Sequence, residues 1–250
     1  MRFLILFLFS IFFISPSNGE NATSSKGIIA TSNPHASKAA HEIIRKGGNA
    51  IDAAVAVQLV LTLTEPQATG IGGGAFMLYW DAKKSKLFAI DGREKAPSKA
   101  KEDLFLNKDG NKIKFYPDAV VGAKSVGVPG IIKLLEDTHK KFGKLAWNDL
   151  FGYAIELSEN GFSVSPALHN TLGYLSYLKT IEPAGSLYYK KNSDGEKVPV
   201  PIGHILKNKE YAETLRRISL FGSQDFYEGK TAQLIIKALK EADKNSFTVS

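Results

Sequence analysis

Residues 50–63 read AIDAAVAVQLVLTL, a helical stretch apolar on nearly every side, broken by Asp52 and Gln58. A helix without a polar face cannot lie on a surface and must be covered all round. At 14 residues it is too short to span a bilayer, which takes about 20 apolar residues. Asn49 starts it, and Gly47-Gly48 ends the helix before it. In that preceding helix Asn33 is the cap and Pro34 takes the first position, where its missing N–H costs nothing. Ala36, Ala39, Ala40, Ile43 and Ile44 follow at i, i+3, i+4, i+7 and i+8, one apolar face. Residues 27–31 upstream read as a short apolar strand.

Past the buried helix comes EPQATGIGGGAFMLYWDAKKSKLFAIDGREKAP, residues 65–97. Its glycines Gly70, Gly72, Gly73 and Gly74 fit the loose dinucleotide fingerprint. That fingerprint requires a strand before and a helix after. Here a helix precedes and a strand follows, so no helix N-terminus faces a phosphate, and the glycines let backbones pass closely or adopt positive φ. Residues 75–80 and 86–91 are two apolar runs joined by Asp81-Ala82-Lys83-Lys84-Ser85 and read as an antiparallel hairpin. Asn107-Lys108-Asp109-Gly110 is a turn. Helical patterns then cover residues 131–141, 147–158, 166–179, 209–219 and 230–242. In the last, Ala232, Ile235, Ile236, Leu239 and Ala242 share one side. Residues 182–207, rich in Gly, Pro and Lys, read as a long surface loop. The ending Phe247-Thr248-Val249-Ser250, just after a helix, reads as a chain cut rather than closed.

Residues 1–19 read as a secretory leader: Arg2, an apolar core from Phe3 to Ile14, and small residues at Ser17 and Gly19. Cleavage there makes residues 20–250 the mature segment, of a size for one large domain. An exported chain without cysteine suits a bacterial periplasm or medium, and neither disulfide nor lipid-anchored N-terminus is possible. The formal charge is +7, but the lysines scatter singly and in pairs, without the basic runs of a nucleic-acid binder.

Familiar catalytic constellations are missing: no cysteine nucleophile, no Gly-x-Ser-x-Gly elbow and no readable carboxylate dyad. Among the five histidines none has His-x-x-x-His spacing, so no zinc site is expected. His35 and His41 suit a solvated helix face. Against 27 lysines the chain keeps five arginines, one of them in the leader. Arg93, at the end of the second strand beside the glycines, offers a planar fork for a carboxylate. An internal ion pair to Glu94, Asp91 or a helix acid is the other reading of the same residue.

The chain resembles the N-terminal part of γ-glutamyltranspeptidase (glutathione hydrolase) precursors. Eight elements run in the same order. They are Gly27-Ile28-Ile29-Ala30-Thr31 with Pro34 and Ala36, Gly47-Gly48-Asn49-Ala50-Ile51-Asp52-Ala53-Ala54, Gly70-Ile71-Gly72-Gly73-Gly74, and Arg93-Glu94 with Ala96-Pro97. Val126-Gly127-Val128-Pro129-Gly130, Trp147 with Leu150-Phe151, Gly161-Phe162, and Phe226-Tyr227-Glu228-Gly229 complete them. The resemblance implies an α+β N-terminal-nucleophile hydrolase, an αββα four-layer sandwich of which only the N-terminal portion is present. It implies a precursor that cuts itself into large and small subunits. A threonine at the new N-terminus attacks the γ-glutamyl amide of glutathione and passes the acyl group to water, an amino acid or a short peptide. No cofactor or metal is required. The Thr-Thr-His-type cleavage segment is absent from these 250 residues, so no catalytic residue is assigned here. Of the family's functional positions only Arg93 carries over, as the ligand of the donor's α-carboxylate. An acylase of the same fold, of glutaryl or cephalosporin type, and an inactive secreted binding module are the alternatives.

Overall fold

The computed structural model describes residues 27–245, so the leader expected at residues 1–19 lies outside the described residues. The helices α1 (Pro34–Arg45) and α2 (Ala50–Thr64) precede a hairpin of β1 (Ala75–Asp81) and β2 (Lys86–Gly92). Next come α3 (Ile131–Phe142), α4 (Gly152–Asn160), β3 (Phe162–Ser163), α5 (Pro166–Tyr174) and α6 (Ala184–Leu187). The strands β4 (Tyr189–Lys191), β5 (Lys197–Pro199) and β6 (Ile205–Leu206) are followed by α7 (Lys209–Phe221), α8 (Ser223–Tyr227) and α9 (Lys230–Asn245). Among the described residues the strands pair as three antiparallel two-stranded ladders, β1–β2, β3–β6 and β4–β5.

The apolar helix sits at the centre. α2 packs against α1, α3 and α4, and no residue from Ile51 to Thr64 is exposed. Its one buried charge closes its N-terminus. Asn49 Oδ1 accepts from the N–H groups of Ile51 and Asp52, while Asp52 Oδ2 accepts from the Asn49 N–H at 2.8 Å, a capping box. The Asp52 carboxylate, fully buried, also accepts from the N–H groups of Lys144 (3.0 Å) and Leu145 (3.3 Å). His139 Nε2 lies 3.3 Å from its other oxygen, and Asn49 Nδ2 donates to Phe142 O at 2.6 Å. The start of α2 and the end of α3 are thereby one polar unit in an apolar core.

The hairpin follows its alternation. Tyr79 and Phe88 turn inward, each ring centroid 4.8 Å from that of Phe142 at the end of α3. The opposite face, with Phe76 at 66%, Leu78 at 73%, Trp80 at 57% and Leu87 at 55% exposure, is uncovered by any described residue. Four large apolar side chains on one sheet face are the mark of an interaction surface.

Several expectations need correction. Residues 27–31 form no strand; no ladder among the described residues includes them, and a strand exists only with a partner. The helix expected over residues 147–158 is a tight 3-10 turn at Trp147–Leu150 followed by α4. Gly152, a weak helix former, stands at the junction. The one expected over residues 166–179 stops at Tyr174, because the Tyr189 hydroxyl lies 2.8 Å from the carbonyls of both Leu172 and Leu175 and satisfies the helix end. Residues 182–207 are no bare loop: they hold α6, the β4–β5 hairpin and β6. Strands of two and three residues are too short to show a period. Ile44 is 40% and Ile236 50% exposed, so neither apolar face of α1 or α9 is fully covered within the described residues.

Asp52→Ala strips three backbone N–H groups and His139 of their acceptor inside the core. Expected is a loss of about 3 kcal/mol, read as a lowered urea midpoint at unchanged slope. A loss under about 1 kcal/mol contradicts the assigned role.

Candidate functional site

Three segments remote in sequence meet where β2 ends and α3 begins. The glycine loop at residues 70–74 leads into β1, whose Ala75 pairs with Gly92, the last residue of β2. The chain after β2 continues as Arg93-Glu94-Lys95, and Lys95 exchanges both backbone hydrogen bonds with Val128 (3.1 and 2.8 Å). The Gly73 carbonyl accepts from the N–H groups of Gly130 (3.0 Å) and Ile131 (3.2 Å), the first of α3. Those are helix-terminal donors with no partner inside the helix.

Glycine is required here by contact. A Cβ on Gly130 would stand 2.1 Å from Gly92 O, and one on Gly74 would stand 2.7 Å from the same oxygen and 2.6 Å from Glu94 Oε2. Gly72 is different, with nothing within 4 Å of its Cβ position. Within the cluster close backbone passage is thus the reason for Gly74, while none of its four glycines has a positive φ.

Arg93 projects from this junction. Its side chain is 70% exposed, and the nearest acid is Glu94, with Oε2 at 3.7 Å from Arg93 Nε. Asp91 takes the Arg93 backbone N–H (2.8 Å) rather than the guanidinium. No described residue hydrogen-bonds the terminal guanidinium nitrogens. An exposed contact of this length is worth at most about 1 kcal/mol. The side chain borders two clefts. One, of about 770 Å³, runs between β2, α3 and α8 past Lys95, Pro129, Lys133 and Tyr227. The other, of about 470 Å³, is lined by Gly72, Glu94, Ala96, Ser125 and Gly127. In the larger cleft Lys133 pairs with Asp137 (2.5 Å) and Lys140 with Glu136 (3.1 Å), leaving Arg93 and Lys95 as cations without an acid at salt-bridge distance beyond Glu94.

Tyr227 forms part of the wall, and sequence reasoning gave it no role. Its hydroxyl donates to Pro129 O at 2.8 Å and receives the Lys133 N–H at 3.4 Å. Burial, with Asp137 adding to it, raises the phenol above its ordinary pKa and keeps it a donor. The available signal was its place in the Phe226-Tyr227-Glu228-Gly229 element. His35 and His41 stay apart: His35 Nδ1 lies 3.1 Å from the Tyr153 hydroxyl, and His41 is exposed. Burial, then the Lys38 charge, lowers the His35 pKa. Among the described residues no group of three or more His, Asp or Glu is placed to hold a metal ion.

The family model described as γ-glutamyltranspeptidase matches residues 36–247. A glutathione hydrolase proenzyme of Bacillus subtilis is 36% identical over 215 residues, which are 86% of this chain and 36% of that protein. The chain thus spans little more than a third of the length of such relatives. A γ-glutamyltranspeptidase of Helicobacter pylori superposes with a TM-score of 0.81 at 33% identity, over 88% of this chain and 62% of that one. The Pseudomonas nitroreducens enzyme complexed with L-DON gives 0.77 at 35%, with the same coverage. A cephalosporin acylase from Bacillus halodurans gives 0.71 at 27%, over 91% of this chain and 43% of that one. The mixed helix-and-strand fold is that of these enzymes over the part the chain covers.

The close passage makes a paired prediction. Gly130→Ala forces Cβ into a backbone oxygen and is expected to cost about 3 kcal/mol or to abolish soluble protein. Gly72→Ala, into open space, is expected to stay within about 0.5 kcal/mol of the parent in the same denaturation experiment. Equal effects at the two positions contradict the packing described.

Proposed function

The chain belongs to the γ-glutamyltranspeptidase family, and from that premise we propose that it is the N-terminal, large-subunit part of a secreted bacterial enzyme. That enzyme transfers or hydrolyses the γ-glutamyl group of glutathione and related amides. The observation that carries the reading is Arg93: a guanidinium 70% exposed, with one long contact, at the meeting point of three glycine-lined segments. A fork with only one long internal contact, beside a cleft, suits the α-carboxylate of a glutamyl donor, which it binds through two parallel N–H bonds.

In this reading the nucleophile is a threonine beyond residue 250, freed by self-cleavage. Its hydroxyl attacks the γ-carbonyl carbon, passing its proton to its own amine, and N–H groups of that later segment hold the oxyanion. The leaving amine takes the proton, and water or an acceptor amine then cleaves the ester. This chain's part is to fix the donor by its carboxylate, so that the γ-carbonyl meets the nucleophile in a repeatable place. The partner is the small subunit of the same precursor. The uncovered hairpin face, with Phe76, Leu78 and Trp80, supports a covering layer from that source. Export follows from the leader, and among the described residues no helix is long and apolar enough to cross a membrane.

Two outcomes test the reading. In the complete enzyme Arg93→Lys keeps the charge but loses the fork, so donor affinity should fall about ten- to hundredfold while both subunits still appear on a gel. Unprocessed, insoluble precursor would instead make Arg93 structural. A glutaryl amide carries the same carboxylate and lacks only the α-ammonium, so preference for it over the γ-glutamyl amide would indicate the acylase.

Residues 20–250 alone, lacking the nucleophile and the oxyanion donors, are expected to release no nitroaniline from a γ-glutamyl anilide. They are also expected to fold poorly without the missing cover. Activity from a monodisperse fragment contradicts the reading. DNA continuing past codon 250 into a Thr-Thr-His-type segment supports it over the binding module.

A further inference from the structure

We propose that Tyr227 is a positioning residue for the Arg93 carboxylate site, acting through the backbone of Pro129; this rests on the reading of Arg93 given above. The guanidinium has no close side-chain partner to fix it, with Glu94 at 3.7 Å and partly exposed. Its place is therefore set by the backbone that carries it, and that backbone is held from one side. Lys95, two residues on, is bonded in both directions to Val128, while the glycine loop is held by Gly73 O to the N–H groups of Gly130 and Ile131. Pro129 stands between these two attachments. Having no N–H, it offers only its carbonyl, and Tyr227 takes it at 2.8 Å. One hydroxyl thus grips the middle of the strip on which both other walls depend.

The grip has a firm base. Phe226 is buried, its ring 5.1 Å from that of Tyr227 and set edge-on. Ser223 Oγ donates to Glu136 Oε2 at 2.6 Å, tying α8 to α3. At the other end Asp225 is bonded to the Thr231 hydroxyl and to the Lys230 N–H (3.2 Å), with Arg217 Nε at 3.5 Å. A hydroxyl mounted on a helix locked at both ends can set the position of a flexible strip. The same hydroxyl receives the Lys133 N–H in the first turn of α3, so helix and strip move together.

The test is Tyr227→Phe in the complete, self-processed enzyme, with Arg93→Lys and the double variant in parallel. The ring stays against Phe226 and only the hydroxyl is lost. Expected is a rise of about three- to tenfold in donor KM, with kcat within about twofold and normal processing. In the double variant the two KM effects should combine to clearly less than their product, because Tyr227 has nothing left to position. Tyr211→Phe is the structural control: that hydroxyl is bonded to Thr62, neither residue lines either cleft beside Arg93, and its loss should lower the melting temperature without moving KM. An unchanged KM, full multiplicativity, an equal KM rise in Tyr211→Phe, or Tyr227→Phe accumulating as unfolded precursor would each overturn the proposal. If Arg93→Lys alone leaves KM unchanged, the carboxylate reading falls and the positioning role with it.

Discussion

A buried carboxylate decides where α3 lies, and α3 decides where the site is. Asp52 stands fully buried at the start of α2. It accepts the N–H of the cap residue Asn49 and reaches across to the N–H groups of Lys144 and Leu145, just after α3 ends. An ion in an apolar core is tolerable only where hydrogen bonds and helix-terminal charge surround it. This arrangement supplies both, with His139 at 3.3 Å completing the shell. The twelve residues of α3 then reach about 18 Å to their own N-terminus, where Gly130 and Ile131 meet the glycine loop. The polar clamp at one end of the helix and the Arg93 junction at the other share one rigid element.

At that far end the constraint is contact between backbones. Gly74 and Gly130 both press on the Gly92 carbonyl, so the end of the hairpin, the glycine loop and the start of α3 occupy almost the same space. The close passage leaves no room for a Cβ on Gly74 or Gly130, and Arg93 projects from it with its side chain 70% exposed. Strain at positive φ is not the reason for these glycines. Gly70, Gly72, Gly73, Gly74 and Gly130 are absent from the positive-φ positions, whereas turn residues such as Gly110 at +77° are among them.

The uncovered surfaces have a common logic. The outer hairpin face and one side of α9 are apolar by sequence and exposed in the described residues. Alternation and helical period dictate that a face be apolar; they do not say what lies on it.

Local signals were legible because they act over one to four residues. The caps at Asn33 and Asn49 and the two strands of the antiparallel hairpin are where the sequence put them. So is the burial of the apolar helix. The ordered motifs identified the family without any coordinates. The short strands β3 to β6 and the early ends of α4's predecessor turn and α5 escaped, because each depends on a distant partner: Tyr189 stops α5 from 15 residues beyond its last residue. The site escaped in the same way. Sequence named Arg93 but left open whether Glu94 or Asp91 satisfied it. Only the tertiary structure gave the Asp91 carboxylate to the Arg93 backbone N–H, left Glu94 as a long contact at 3.7 Å, and set Tyr227, 98 residues distant, on the Pro129 carbonyl. Period and capping are written in neighbouring residues, whereas the approach of remote backbones is settled only when the whole core has packed.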